Sequence, residues 1–242
     1  MRKLVAAAVI IAASAAVAGC NHRSEDPGAT VSRNFQVGSF KSIEVAGPYD
    51  VEVRTGPQVS VTAQGGEKLL EKTKVEVDGD KLRIGPAEHH GMFNFGWSTR
   101  GHAHFIVTVP ALTGAEIAGS GDIKVDQVRG DSFEGGVAGS GNLSLTSVEV
   151  QSLKLEISGS GGIKAGAGTT KTASYEIAGS GDIDAGAVKA QDASADIAGS
   201  GNIKAQATGT ARIDVAGSGD VTVTGGAKCQ VSKHGSGNVS CS

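Results

Sequence analysis

The chain of 242 residues carries 22 Lys and Arg against 25 Asp and Glu, a formal net charge of −3. It contains no basic run, which argues against electrostatic capture of nucleic acid. With 37 glycines and only 4% aromatic residues, large side chains are too sparse for a bulky globular core, and a thin, stacked core is expected instead.

At the N-terminus, Arg2 and Lys3 precede an apolar run from Leu4 to Val17. That run is shorter than the roughly 20 residues a membrane-spanning helix needs. It reads as an export signal covering residues 1–19. The run closes on "VAGC", Val17 to Cys20, which resembles the lipobox of bacterial lipoproteins. The resemblance implies that Cys20 becomes the lipid-modified first residue of the mature protein and holds it to the membrane. Asn21 rather than Asp follows, a pattern similar to that of Gram-negative lipoproteins released to the outer membrane, facing either the periplasm or the surface. Residues 20–33, polar with Pro27 and Gly28, read as a tether. Loss of Arg2 and Lys3 with the signal leaves 20 basic and 25 acidic side chains, a formal charge of −5.

Residues 34–110 alternate apolar and polar positions in short runs: "FKSIEV", "YDVEVRTG", "VSVTAQG", "TKVEVDGDKLRIG" and "HFIVTVP". Separated by Gly, Pro and "DGD", these read as strands, and "EKLLEK" at 67–72 as one helical turn. The region is expected to form a β-rich cap on whatever follows. One loop departs from it. "EHHGMFNFGWSTRGHAH", 88–104, carries His89, His90, His102 and His104 together with the aromatics Phe93, Phe95 and Trp97. Imidazoles suit zinc, so the four histidines are weak metal candidates, but no cysteine or clear carboxylate shares their spacing. An exposed loop is the default reading, and a sticky contact surface the functional one.

From residue 111 to 242 the chain repeats itself. Ser120, Ser140, Ser160, Ser180, Ser200, Ser218 and Ser236 each sit between two glycines, at spacings of 20, 20, 20, 20, 18 and 18. In three copies the turn reads Gly119-Ser120-Gly121-Asp122, Gly179-Ser180-Gly181-Asp182 and Gly199-Ser200-Gly201-Asn202. Three residues before the serine stand Ile117, Val137, Ile157, Ile177, Ile197 and Val215. Three after it stand Ile123, Leu143, Ile163, Ile183, Ile203, Val221 and Val239. Apolar and polar columns alternate on both sides of the turn, the signature of strands with one buried face. A fixed period of this length predicts a solenoid. Each coil is expected to run strand, glycine turn, strand, then a looser return near Gly130, Gly166, Gly186 or Gly209. At about 4.8 Å per rung, seven coils would span roughly 30 Å. The glycine turns are structural on this reading. A phosphate-binding loop would need a helix to follow, and a calcium-binding nonapeptide repeat would need a period of nine.

The residue after each turn reads Asp122, Asn142, Gly162, Asp182, Asn202, Asp220, Asn238. No two successive copies carry Asp, which avoids stacking carboxylates that would repel by roughly 1 kcal/mol. Four residues before the serine, Glu156, Glu176, Asp196 and Asp214 do stack like charges. They read as a solvated face, with weak cation binding as the alternative.

Cys229 and Cys241 fall in inward columns of the final copy. An exported chain meets oxidising conditions. A disulfide here would pin the last coil, provided that the faces lie close enough for S–S geometry. Lys233 occupies an apolar column and His234 replaces Ala, so the last copy is atypical, as a terminal cap should be.

No cofactor motif, Ser-His-Asp set or carboxylate pair with a neighbouring Arg can be assembled, and enzyme activity is not expected. In the order of its parts the chain resembles a bacterial envelope family, the auto-transporter adhesin, head GIN domain (domain of unknown function 2807). The matching stretches are "FKSIEVAGPYDVEVRTG", "TKVEVDGDKLRIG", "VTVPALTGAEIAGSGDI" and the later GSG copies. The resemblance implies an all-β, pectin-lyase-like parallel β-helix without that fold's catalytic residues, and a role in adhesion. The expected function is a non-enzymatic envelope surface that binds polysaccharide or protein. A carbohydrate-active enzyme on the same fold is one alternative. The other is a periplasmic scaffold docking through loop 88–104.

Overall fold

The computed structural model describes residues 27–87 and 102–242. The export signal, Cys20, His89 and His90 lie outside the described residues. The short alternating runs form β1 (Thr30–Phe35), β2 (Ser42–Ala46), β3 (Tyr49–Thr55) and β4 (Ser60–Gly66). A single helical turn, α1 (Glu67–Glu71), leads into β5 (Thr73–Asp78) and β6 (Lys81–Pro86). Then come β7 (Ala103–Val109) and β8 (Gly114–Gly119). Each GSG turn is followed by a long strand: β9 (Asp122–Gly139), β10 (Asn142–Gly159), β11 (Gly162–Gly179), β12 (Asp182–Gly199) and β13 (Asn202–Gly217). The chain closes with β14 (Asp220–Thr224), β15 (Lys228–Gly235) and β16 (Val239–Cys241). All these strands belong to one hydrogen-bonded sheet, wound as a β-solenoid of about six turns.

β9 to β13 stack parallel, each on the next, so that Leu143 lies between Ile123 and Ile163, and Ile157 between Val137 and Ile177. Along β10 three inward runs succeed one another: Leu143 and Leu145, Val148 and Val150, then Leu153, Leu155 and Ile157. Between them the alternation slips phase at Thr146–Ser147 and Gln151–Ser152, and the ladder skips Thr146 and Gln151. Each coil thus has three inward faces. The loose return expected near Gly130, Gly166, Gly186 and Gly209 is absent, because all four lie within unbroken strands. The chain can bend at these corners and remain in the ladder, since its backbone groups pair with the coils above and below rather than within the bend. The change of period from 20 to 18 is absorbed by register shifts between Asp184 and Lys189 and between Ala190 and Asp192.

The boundary expected at 110/111 is not a structural one. β2 pairs parallel with β8, and β3 with β9, placing Val45 beside Ile117 and Val51 beside Ile123. "IEVAGPYDVEV" is therefore another copy of the repeat, with Pro48 and Tyr49 where Ser120 and Gly121 stand in the next coil. Beyond it, β6 pairs with β2 and β7 with β3. In sequence the His-rich stretch lies between β6 and β7, and its residues 88–101 are outside those described. Only β1, β4 and β5 pair antiparallel, β4 on β7, β1 on β4 and β5 on β6. With α1 they form the cap, and β1 begins inside the segment read as tether. The cap is tied to the first coil through Tyr49, whose hydroxyl lies 3.0 Å from Thr73 Oγ1, which in turn donates to the Leu69 carbonyl at 2.7 Å. Burial pushes the Tyr49 phenol up to about 12, against the opposing pull of the Thr73 hydrogen bond.

The core narrows to small residues in the middle coils, where Ala165 and Ala173 face inward on the same strand, β11, as the larger Tyr175. Tyr175 is fully buried, and among the described residues its hydroxyl has no hydrogen-bond partner. A buried donor without a partner costs about 1–3 kcal/mol. Tyr175→Phe should therefore raise stability by about 1 kcal/mol, read as a higher midpoint in denaturant unfolding with an unchanged slope. A lower midpoint would mean that the hydroxyl is satisfied in solution.

Candidate functional site

Every GSG turn solves the same steric problem twice. The first glycine adopts positive φ, +133° at Gly139 and +134° at Gly159, a region that residues with a Cβ rarely enter. The second glycine has ordinary φ but no room: a Cβ on Gly141 would run into the carbonyl of Gly121 on the preceding coil. Ser140 N donates to Gly119 O at 2.9 Å and Ser160 N to Gly139 O at 2.9 Å, so turn stacks on turn. The serines point outward at the apex and are exposed. The same geometry reaches the AGPY turn, where Gly121 N donates to Gly47 O at 3.0 Å.

Beside the turns, the Asp/Asn column forms a chain of hydrogen bonds between coils. Asn142 Nδ2 donates to Asp122 Oδ1 at 2.9 Å, and Asn202 Nδ2 to Asp182 Oδ1 at 2.7 Å. Asn238 donates to Asp220 through both its backbone N, at 2.7 Å, and Nδ2, at 3.2 Å. Each amide supplies the donors that its neighbouring carboxylate lacks. The AGPY coil breaks the pattern, because Asp50 stacks on Asp122. His104 stands on the far side of Asp50. His102 Nδ1 lies 3.9 Å from Asp50 Oδ2, and His104 Nε2 lies 3.9 Å from Glu52 Oε2. Among the described residues no cluster of three or more His, Cys, Asp or Glu is placed to hold a metal ion.

The other side of the corner carries a feature that column-by-column reading missed. The positions four and two residues before each serine point outward from the same face. Together they line a groove of about 760 Å³ that runs from Glu44 and Glu116 to Ser232 and His234. Its floor is a ladder of small side chains, Ala118, Ala138, Ser158, Ala178, Ala198 and Ala216. Its wall is the acidic column. Several of these carboxylates are paired: Lys81 Nζ lies 2.8 Å from Glu116 and 3.5 Å from Glu44, Lys154 Nζ 2.5 Å from Glu156, and Arg212 Nε 3.0 Å from Asp214. The hydrogen bond to Glu156 raises the Lys154 ammonium above its ordinary range. Asp196 is different. Partial burial first, and then the neighbouring Asp214 carboxylate, push its own carboxyl above the usual range. The signal that could have exposed the groove is the coincidence of an Ala column with an acidic column two positions away.

At the C-terminal end, Cys229 and Cys241 are joined by a disulfide with a Cα–Cα distance of 6.7 Å. They do not lie in a closed core as their columns imply. Cys229 is half-buried and Cys241 exposed, because among the described residues no strand lies on the outer side of β15 and β16. Among the described residues no helix is long and apolar enough to cross a membrane.

A raised carboxyl pKa in the folded state means that ionisation of Asp196 opposes folding. The penalty is full above its folded pKa and disappears below the ordinary aspartate range, where both states are protonated. Asp196→Asn should therefore raise the melting temperature at pH 7 and leave it unchanged near pH 3. Asn202→Asp should do the reverse of a stabilising change, stacking three carboxylates at 182, 202 and 220. Its loss, about 1 kcal/mol per like-charged neighbour at pH 7, should be regained as the medium is acidified. Thermal melts across pH check both.

Comparison with known proteins places this geometry. A family model described as "Putative auto-transporter adhesin, head GIN domain" matches residues 39–227. A "putative adhesin" from Bacteroides fragilis superposes with a TM-score of 0.81 at 23% identity, over 90% of this chain and 100% of its own. A "putative lipid binding protein" from Parabacteroides distasonis gives 0.70 at 24% identity, over 90% and 99%. A "putative adhesin" from Parabacteroides merdae gives 0.69 at 19% identity, over 89% and 97%. At these identities the likeness shows a shared fold. The search of curated proteins returns no match.

Proposed function

The chain belongs to the auto-transporter adhesin, head GIN domain family, and from that premise we propose that it is a non-enzymatic cell-envelope protein whose lengthwise groove binds an extended polymer, polysaccharide being the favoured class. The groove carries this reading. Nearly the same chemistry, a small floor residue and an acidic or polar wall residue, recurs at most rungs of the rod, Gly136 in the wall and His234 in the floor being the departures. A repeating trough suits a repeating partner laid along it, each rung adding a small increment. The family and the B. fragilis and P. merdae structures carry descriptions as adhesins. We place the protein on the outer membrane through lipid on Cys20, with residues 21–29 as the spacer between anchor and cap.

One observation favours a second reading. Lys154 and Arg212 stand beside groove carboxylates, the arrangement that a carbohydrate-active enzyme would need. Against it, both cations are held in ion pairs with the adjacent acids, and similar carboxylates recur on successive coils, so no single pair is set apart for acid and base roles. The scaffold reading through loop 88–104 rests on residues mostly outside those described.

The test is a glycan and peptidoglycan binding array with product release followed in the same wells, and phospholipid vesicles as a separate arm. The protein should bind without releasing product. Ala178→Trp and Ala198→Trp fill the groove without changing charge and should weaken binding at least about tenfold, with the β-sheet circular dichroism unchanged. Binding that survives both substitutions would move the site off the groove, and product release would favour the enzyme.

A further inference from the structure

The last coil differs from those it stacks on. β15 lies on β13 with Cys229 beside Ala211, Val231 beside Ile213 and Lys233 beside Val215. β16 lies on β14 with Cys241 beside Val223. Apolar columns that run through the rod thus end in two cysteines, two valines (Val231 and Val239) and a lysine. The disulfide links residues 12 apart in sequence and ties β15 to β16, which lie on different faces of the coil. Both sulfurs sit under the Ala227 carbonyl, at 3.8 and 3.7 Å. Lys233 Nζ donates to the Gly237 carbonyl at 2.9 Å, so its stem lies across the open end and its charge is held at the last turn.

The two ends of the rod are therefore treated differently. The N-terminal end is closed by β1, β4, β5 and α1. At the C-terminal end, among the described residues, β15 and β16 have no further strand, and Val231 is 51% exposed. An unpaired edge is a template for another chain, and an inward-pointing charge is a known means of blocking one. Beneath the last coil lie Ala211, Ile213, Val215, Val221 and Val223, none more than 2% exposed. If β15 and β16 peel away, that apolar surface and the outer edges of β13 and β14 are bared together.

We propose that the Cys229–Cys241 crossbar and Lys233 form a redox-removable lid that prevents the C-terminal edge of the rod from pairing with a second copy of the chain. Opening needs a reductant, and a dithiol suffices. It supplies two electrons and two protons, the S–S bond breaks to two thiols, and the dithiol closes to its own disulfide. β15 and β16 are then no longer tied across the coil. The last coil frays, and two bared edges meet about a two-fold axis, which makes the contact antiparallel and closed at a dimer.

The experiment is hydrogen exchange together with sedimentation velocity on the purified protein, oxidised and reduced with dithiothreitol. Reduction should lower protection of amides in 220–241 by roughly 100-fold, the scale of one short-loop disulfide. It should leave β9–β12 unchanged and produce a dimer whose fraction rises with concentration. Cys229→Ser with Cys241→Ser should behave as the reduced protein does. Lys233→Val, with the disulfide intact, should raise the dimer fraction by itself. Unchanged protection at 220–241 on reduction overturns the lid. So does lost protection with a sedimentation coefficient that stays constant over about a tenfold concentration range, and so does a Lys233→Val protein no more dimeric than the native one. If the double cysteine variant fails to fold, reduction of the folded native protein decides the matter.

Discussion

Everything in this rod follows from one constraint: the carbonyl oxygens of one turn occupy the space where the next turn would place a Cβ. Coils stack at the strand spacing, about 4.8 Å, and at the GSG corner the backbone itself is the packing surface. A side chain on Gly139, Gly159 or Gly179 would collide with the carbonyl of Gly119, Gly139 or Gly159 respectively. The serine between the glycines is free because it points outward. Glycine is thus demanded by register, coil by coil, and a shift of one residue anywhere in the corner would put side chains into the stack.

In-register stacking then turns each residue choice into a column. An inward column is apolar along most of its length and can mix sizes, as Leu155, Tyr175 and Ala195 do in one column. An outward column must settle its own electrostatics. The Asp/Asn column does so with hydrogen bonds from amide to carboxylate. The acidic column settles its charge laterally, with Lys81, Lys154 and Arg212 drawn in from the adjacent position. Among the described residues neither Glu176 nor Asp196 shows such a close ion pair, and burial, with Asp214 beside it, pushes the Asp196 carboxyl above its ordinary range.

The winding was legible in the sequence because its strictest positions are its most repetitive ones. The GSG turns, the Ile/Val columns on either side and the atypical last copy all show at a glance. The AGPY coil was not legible. Pro48 and Tyr49 erase the motif, and the cap strands and the His-rich insertion lie between residue 48 and Ser120, so no period connects them. Tyr49 stands there beside Ala103 of β7, at the end of the insertion, rather than on another GSG turn. The three inward faces of the coil were missed for another reason. A phase slip of the alternation at Thr146–Ser147 looks like a loop in one dimension, whereas in the stack its neighbours remain hydrogen-bonded. The groove escaped because it belongs to no single column. It exists only where a column of small residues runs beside a column of acids, and each column alone reads as unremarkable surface.

That repetition also bears on what the rod can do. Catalysis requires asymmetry, one acid held protonated and one base held charged by different surroundings. A stack of similar rungs works against this, although Asp196, part-buried beside Asp214, departs from the ion-paired Glu116, Glu156 and Asp214. Binding makes no such demand. A partner with its own repeat can gain a fraction of a kcal/mol at each rung and be held firmly by several, because once one rung is engaged the next is met at high effective concentration. Loss of one contact weakens such a complex in proportion rather than abolishing it, and the partner can shift by one rung without penalty. A surface of this kind reads the periodicity of a polymer more than its chemical detail. The same physics that lets 20-residue copies fold as a ladder makes the ladder's outer face a ruler.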